Sequence, residues 1–315
     1  MNEQTLIDGL ANACEGQLPN RAEVLALRPF TQDDVHARAN RFIALLHEGD
    51  ACTRDHAHFV SRDDRTVIQL AGGARCVLYH ASGALQFSAG VAPFQAPFEK
   101  VEERDVLTRQ VTEAAQRLKV GDWAGDNGSL AFERLFLSKG QGADRNERAS
   151  EPVLFRATGA WRQSIGGLPV LGAASVALTL AGDGTLDALA VRMRPAVSEK
   201  LDNAAIIAPE LAARHIAANL ASVLGNAKDR LPGDVIASQT MRFGYLDLGK
   251  RKAQRVLAPV FVAQVVLRHR LETQGYIFAV AATERHYLDL PLFGTEAVAT
   301  RSRASSEGHC RDVLR

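Results

Sequence analysis

The sequence predicts an α+β fold in which helices are each followed by an antiparallel sheet, and three observations carry that expectation. Apolar residues recur at helical spacing in three separate stretches, and each stretch is followed by short alternating runs. The runs are punctuated by glycine and Asp-Gly turn signals, not by further helices. Strict alternation of strand and helix is missing, which disfavours a Rossmann sheet or a (β/α)8 barrel.

The first helix is expected over residues 31–46, where Val35, Ala39, Phe42, Ile43 and Leu46 share one face and Thr31 with Asp34 resembles a capping box. Three short strands follow at 66–70, 75–80 and 84–88, divided by Gly72-Gly73 and by Ala81-Ser82-Gly83. Pro93 and Pro97 then break the chain before a second helix over 101–118, with Leu107, Val111, Ala114, Ala115 and Leu118 on its apolar face and Gly121 beyond it.

Strands are expected next at 130–138, 153–165, 175–180 and 186–193. A polar loop spans 140–150, and Ala181-Gly182-Asp183-Gly184 marks a tight hairpin. The third helix, 209–225, starts at Pro209 and ends at Gly225, with Leu211, Ile216, Ala217, Leu220, Val223 and Leu224 between them. Strand runs at 235–248, 256–268 and 276–284 complete the pattern.

The order helix then sheet recurs at 101–195 and 209–290, and more weakly at 31–90, without sequence identity between the copies. The expected organisation is a helix and meander over 1–100, one α+β unit over 101–200, a second over 201–295 packed beside it, and a flexible tail over 296–315.

Composition narrows the partners. Among 315 residues, 37 basic and 36 acidic side chains leave a net charge of +1, so no global field attracts nucleic acid or an anionic membrane. No apolar stretch is long enough to cross a bilayer as a helix, so neither nucleic acid nor membrane is an expected partner. The first residues lack a basic n-region and an apolar h-region, and Cys14, Cys52, Cys76 and Cys310 are scattered without a C-x-x-C pair. Free thiols in a cytoplasmic protein are the expectation.

One stretch carries a resemblance. Gly166-Gly167-Leu168-Pro169-Val170-Leu171-Gly172, the strand 175–180, Gly182-Asp183-Gly184 and the strand 186–192 resemble the PepSY and thermolysin-type propeptide domains, which read G-x-P-V-x-G, strand, D-G, strand. Leu257-Ala258-Pro259-Val260-Phe261, the strand to Leu267 and residues 276–283 look like later strands of the same group. The resemblance spans a third to a half of the chain. It implies cystatin-like units with a binding, inhibitory or chaperone-like surface, no catalytic residues and no cofactor.

Candidate chemistry is sparse. His56 and His58, two apart in a strand, would place both imidazoles on one face to hold a metal, but a polar turn-like neighbourhood fits two solvated histidines with less assumption. His215, mid-helix beside Arg214, is the candidate acid or base if a cavity opens between a curved sheet and its helix. Asp183 with Asp187, and Asp122 with Asp126, read as turn-forming carboxylates, and Ser164, Ser175 and Ser238 lack any nucleophile-elbow context.

Lys250-Arg251-Lys252 with Arg255 forms a basic tip that suits a solvated hairpin end or an acidic partner. Trp161 and Arg162 on one strand and Tyr245 on another, together with Arg251, are the candidate partner-binding residues, because a sheet face with Trp, Tyr and Arg is a common recognition surface. The expected function is therefore non-catalytic binding of a peptide or protein along a sheet face or edge. The alternatives are a small-molecule enzyme using His215, and a self-associating protein that forms homo-oligomers.

Overall fold

The computed structural model describes residues 3–15, 18–48, 57–92, 94–99, 103–125, 128–142, 149–173, 175–194, 197–225, 235–269 and 272–290. In chain order the first elements are α1 (Glu3–Asn12), β1 (Cys14–Glu15), β2 (Arg21–Leu27) and α2 (Gln32–Glu48). A meander follows, with β3 (His58–Ser61), β4 (Arg65–Gln69), β5 (Arg75–Tyr79) and β6 (Leu85–Ser88). Next come α3 (Arg104–Arg117), β7 (Gly128–Gly140), β8 (Val153–Ile165), β9 (Leu168–Leu171), β10 (Val176–Leu180) and β11 (Leu186–Val191). The chain continues through β12 (Val197–Ala205), α4 (Pro209–Gly225), β13 (Val235–Leu246), β14 (Val256–Leu257), β15 (Pro259–His269) and β16 (Glu272–Ala281).

Two compact units result. A central unit takes Ala26–Glu199 and Asp247–Arg255, and a terminal unit takes Met1–Leu25, Lys200–Leu246 and Val256–Arg315. The divisions near residues 100 and 200 expected from the sequence are replaced by an interleaved arrangement in which the central unit is inserted into the terminal one. The α+β class itself is realised, with antiparallel sheets and helices segregated along the chain.

In the central unit the strands run in the order β3-β4-β5-β6-β11-β10-β8-β7 with antiparallel neighbours. A helix followed by four main strands thus occurs twice, and the two runs meet where β6 pairs β11, from Leu85↔Val191 to Ser88↔Ala188. This pairing joins the 57–92 meander to the 104–191 segment, because it gives β6 a second neighbour and leaves fewer unpaired backbone groups.

Both helices bury their predicted faces in one core. Val35, Ala39, Phe42, Ile43 and Leu46 of α2 and Leu107, Val111, Ala114 and Ala115 of α3 pack with Leu78, Leu85, Trp161, Leu178 and Val191 of the sheet. The α2 start is a complete capping box: the Asp34 amide donates to Thr31 Oγ1 at 3.2 Å, while Asp34 Oδ2 accepts from the Thr31 amide at 2.9 Å. At the Asp-Gly hairpin Gly184 has φ +80, its amide donates to the Ala181 carbonyl at 3.0 Å, and the Thr185 amide donates to Asp183 at 2.9 Å.

The terminal unit stacks α1 and α4 beside the antiparallel strands β13-β15-β16, with β1 parallel to β13. A separate three-stranded sheet orders β12-β2-β14. α4 buries Ala212, Ala213, Ile216, Ala217 and Leu220, and α1 buries Leu6, Ile7 and Leu10. α1 comes close to β13 at Gly9, where an added Cβ would fall 1.5 Å from the Gln239 side-chain amide and make it turn away.

Among the described residues, no helix is long and apolar enough to cross a membrane. Cys14 and Cys76 form no disulfide among the described residues, and burial pushes the Cys76 thiol well above its ordinary range. Cys52, Cys310 and the tail after Leu290 lie outside the described residues.

Candidate functional site

A cleft of about 800 Å³ lies in the terminal unit, where α4 and its lead-in run beside β16. Leu211, His215, Ala218 and Asn219 line it from α4, and their spacing is that of a single helical stripe beside the buried one. From β16 it is lined by Ala279, Val280 and Ala281. Successive strand side chains point to opposite faces, so three consecutive lining residues mean that the cleft reaches the edge of the strand.

That edge is open. β16 is an outer strand, paired with β15 from Val260↔Ala281 to His269↔Glu272 without a register shift. The Ala282 amide donates to the Pro259 carbonyl at 3.1 Å, so by antiparallel alternation the amides of Ala281, Ala279 and Ile277 face away from β15. Beyond Ala281 the outer side is taken by the chain leading into α4. There the Ile207 amide donates to the Ala282 carbonyl at 2.9 Å, and Ile206 bridges Thr283.

The third wall is the segment after β16, carrying Glu284, His286, Leu288 and Asp289. It is fastened at two points. Thr283 Oγ1 donates to the Arg285 carbonyl at 2.7 Å, and the Tyr287 hydroxyl donates to the Asp202 carboxylate. That hydrogen bond holds Asp202 below the usual carboxylate range and raises the Tyr287 phenol, while Arg285 lies 5.1 Å over the Tyr287 ring.

The central unit also has an open edge, β7, but it is guarded. Register shifts fall between Phe132 and Arg134 and between Ser138 and Lys139. The Leu135 carbonyl accepts from Arg104 at 2.8 Å, and Arg134 covers the Phe136 ring at 5.6 Å. Bulges, charges and a capped carbonyl are the devices that protect sheet edges from pairing.

The residues singled out in the sequence are dispersed. His215 is exposed on α4 and lines the cleft. Trp161 is 5 % exposed and packs edge-on against Phe132, so its indole belongs to the core and not to an outer recognition face. Tyr245 is 2 % exposed, its hydroxyl donates to the Glu23 carbonyl at 2.9 Å, and burial pushes its pKa up to about 12.

Arg162 is spent on Glu133 at 2.7 Å and on the Val170 carbonyl at 2.9 Å. Arg251 is exposed and lies 6.0 Å from the Tyr79 ring, which Lys250 approaches to 4.9 Å. Trp161 faces inward because residues of α2 and α3 pack into the same core, a choice that alternation alone leaves open.

His58 is exposed on β3, and His56 lies outside the described residues. Among the described residues, no group of three or more His, Cys, Asp or Glu side chains is placed to hold a metal ion. Asp187 accepts from the buried Arg156 at 2.7 Å and Asp122 pairs with Arg41 at 3.1 Å; Asp126 lies outside the described residues. Sequence reasoning missed Glu284, His286 and Asp289. The signal available was a polar, ionisable run directly after an apolar strand.

The fold and cleft define a class: an α+β protein with helix-covered antiparallel sheets and a groove beside an open strand. No family model matches the chain, and no curated protein matches it. A solved structure of an uncharacterized protein from Eubacterium rectale ATCC 33656 is similar at a TM-score of 0.49 and 8% identity, over 92% of this chain and 99% of that one.

Proposed function

We propose that this chain is a non-catalytic polypeptide-binding protein that takes an extended segment by strand addition along β16, in the cleft beside α4. The observation that carries the reading is the coincidence of a strand edge unpaired among the described residues with a concave wall. Outward amides at Ile277, Ala279 and Ala281 offer main-chain hydrogen bonds, and Leu211, Val280 and Leu288 offer apolar surface for alternate side chains of the incoming strand. The PepSY-like turns and strands support the same reading, since such domains are binding or inhibitory modules.

The test is selection of heptapeptides from a random display library against the full chain, followed by residue-resolved amide exchange with an enriched peptide bound. The expected result is slowed exchange at Ile277, Ala279 and Ala281. Failure to enrich any peptide, or protection confined to other strands, would overturn the reading. One observation favours a second reading, an enzyme acting on a small molecule, because the imidazoles of His215 and His286 line the cleft together with two carboxylates. Turnover of a copurified small molecule that is lost in His215→Ala would establish that reading instead.

A further inference from the structure

The charge on the cleft identifies the chemistry of its occupant. Glu284 and Asp289 both line it, both are exposed, and neither has an ion-pair partner among the described residues. Among the described residues, no lysine or arginine lines the cleft. Arg285, next to Glu284 in sequence, lies over the Tyr287 ring, and Arg214, beside His215 on α4, is not among the lining residues. The cleft therefore presents two carboxylates without a compensating cation among the described residues, beside apolar surface from Leu211, Val280 and Leu288.

Resting on the strand-addition reading, we infer that the segment bound beside β16 is cationic: an extended strand that alternates apolar residues with lysine or arginine. An extended chain sends alternate side chains to opposite faces, so one set meets the apolar wall while the other reaches the Glu284 and Asp289 rim. An acidic segment meets like charge at that rim, which discriminates against the wrong partner as well as favouring the right one. A second copy of this chain, pairing edge to edge, would bring the same carboxylates and no compensating cation from its own cleft.

The experiment uses the full chain and two fluorescein-labelled nonapeptides, one alternating valine with lysine and the other valine with glutamate. Fluorescence polarisation at low salt reads affinity, and amide exchange at Ile277, Ala279 and Ala281 reads the mode of binding. The lysine peptide is expected to bind about fivefold or more tightly than the glutamate peptide, the size that two exposed ion pairs supply. The preference is expected to fall within about twofold in the double variant Glu284→Gln, Asp289→Asn, and in salt of about 0.5 M.

Equal binding of both peptides with equal protection of β16 would overturn the charge assignment and leave strand addition standing. A preference that survives the double variant would overturn it too. If neither peptide protects the three amides, strand addition itself fails. If sedimentation shows self-association that protects those amides in the absence of peptide, the occupant is a second copy and the inference falls.

Discussion

The Asp34 carboxylate accepts four hydrogen bonds, two from Arg28 and two from Thr31. It completes the α2 capping box with Thr31, and it accepts two hydrogen bonds from Arg28 at 2.9 and 2.8 Å. The Arg28 guanidinium and then the Thr31 amide hold its carboxyl well below the ordinary range. A folded-state pKa below the unfolded value means stability that is fully present above the unfolded pKa of about 4 and is lost as pH falls toward the folded one. Asp34→Asn is therefore expected to be destabilised by about 1 kcal/mol at neutral pH, and the gap from wild type should narrow in urea melts repeated below about pH 4.

Arg38 makes a different kind of tie. It is only partly exposed, and its guanidinium stands 5.1 Å from the Phe30 ring and 5.0 Å from the Trp123 ring, donating to the Gly83 and Met193 carbonyls. Burial, with Arg41 nearby, lowers its pKa to about 10. A lysine cannot stack on two rings and reach two carbonyls with one point charge. Arg38→Lys is expected to lose about 2 kcal/mol in denaturant unfolding, and an unchanged midpoint would show that the planar fork is not what the site uses.

At the level of elements, helices were more legible than strands. The spans 101–118 and 209–225 read from apolar spacing, Pro209 and Gly225 correspond to α3 and α4 with the predicted α3 face buried, because helical periodicity is local information. By contrast α1, β2 and β12 went unpredicted. α1 is only 10 residues long, with Leu6, Ile7 and Leu10 as its buried set, too short a period to stand out. β2 pairs with both β12 and β14 across long sequence separations, which no local pattern announces.

The open edge of β16 carries the prediction that belongs at this scale. Ile277 is 52 % exposed and its amide faces away from β15, so proline there removes a donor that the β15–β16 ladder does not use. Ile277→Pro is expected to unfold within about 1 kcal/mol of wild type while losing peptide binding and the exchange protection that accompanies it. Retained binding would place the partner elsewhere than on this edge.

Across the whole molecule, the excursion at 247–255 ties distant parts of the chain together. Asp247 accepts from Arg194 at 2.6 and 2.9 Å, and Arg194, 3 % exposed, also donates to the carbonyls of Gly249 and Lys252. Removing one partner of a buried ion pair leaves the other charge uncompensated. Asp247→Ala is accordingly expected to cost about 3 to 5 kcal/mol in chemical denaturation. A fragment of residues 26–199 loses the same partner and should unfold earlier than the full chain.

What the residues determined without tertiary help was the fold class, the main helices, the capping box and the Asp-Gly hairpin, because each depends on contacts a few residues apart. The placement of His215 on one helix and of Glu284 and Asp289 after one strand was likewise readable as position. Their meeting in a cleft was not. Which face of a strand is covered, which strand stays unpaired and which excursion completes which unit depend on pairings such as Leu85↔Val191 and on burial of Trp161 and Tyr245, separated by tens to hundreds of residues. Only the tertiary structure decides these, because the free energy that selects among them comes from long-range burial and backbone pairing, which local patterning cannot encode.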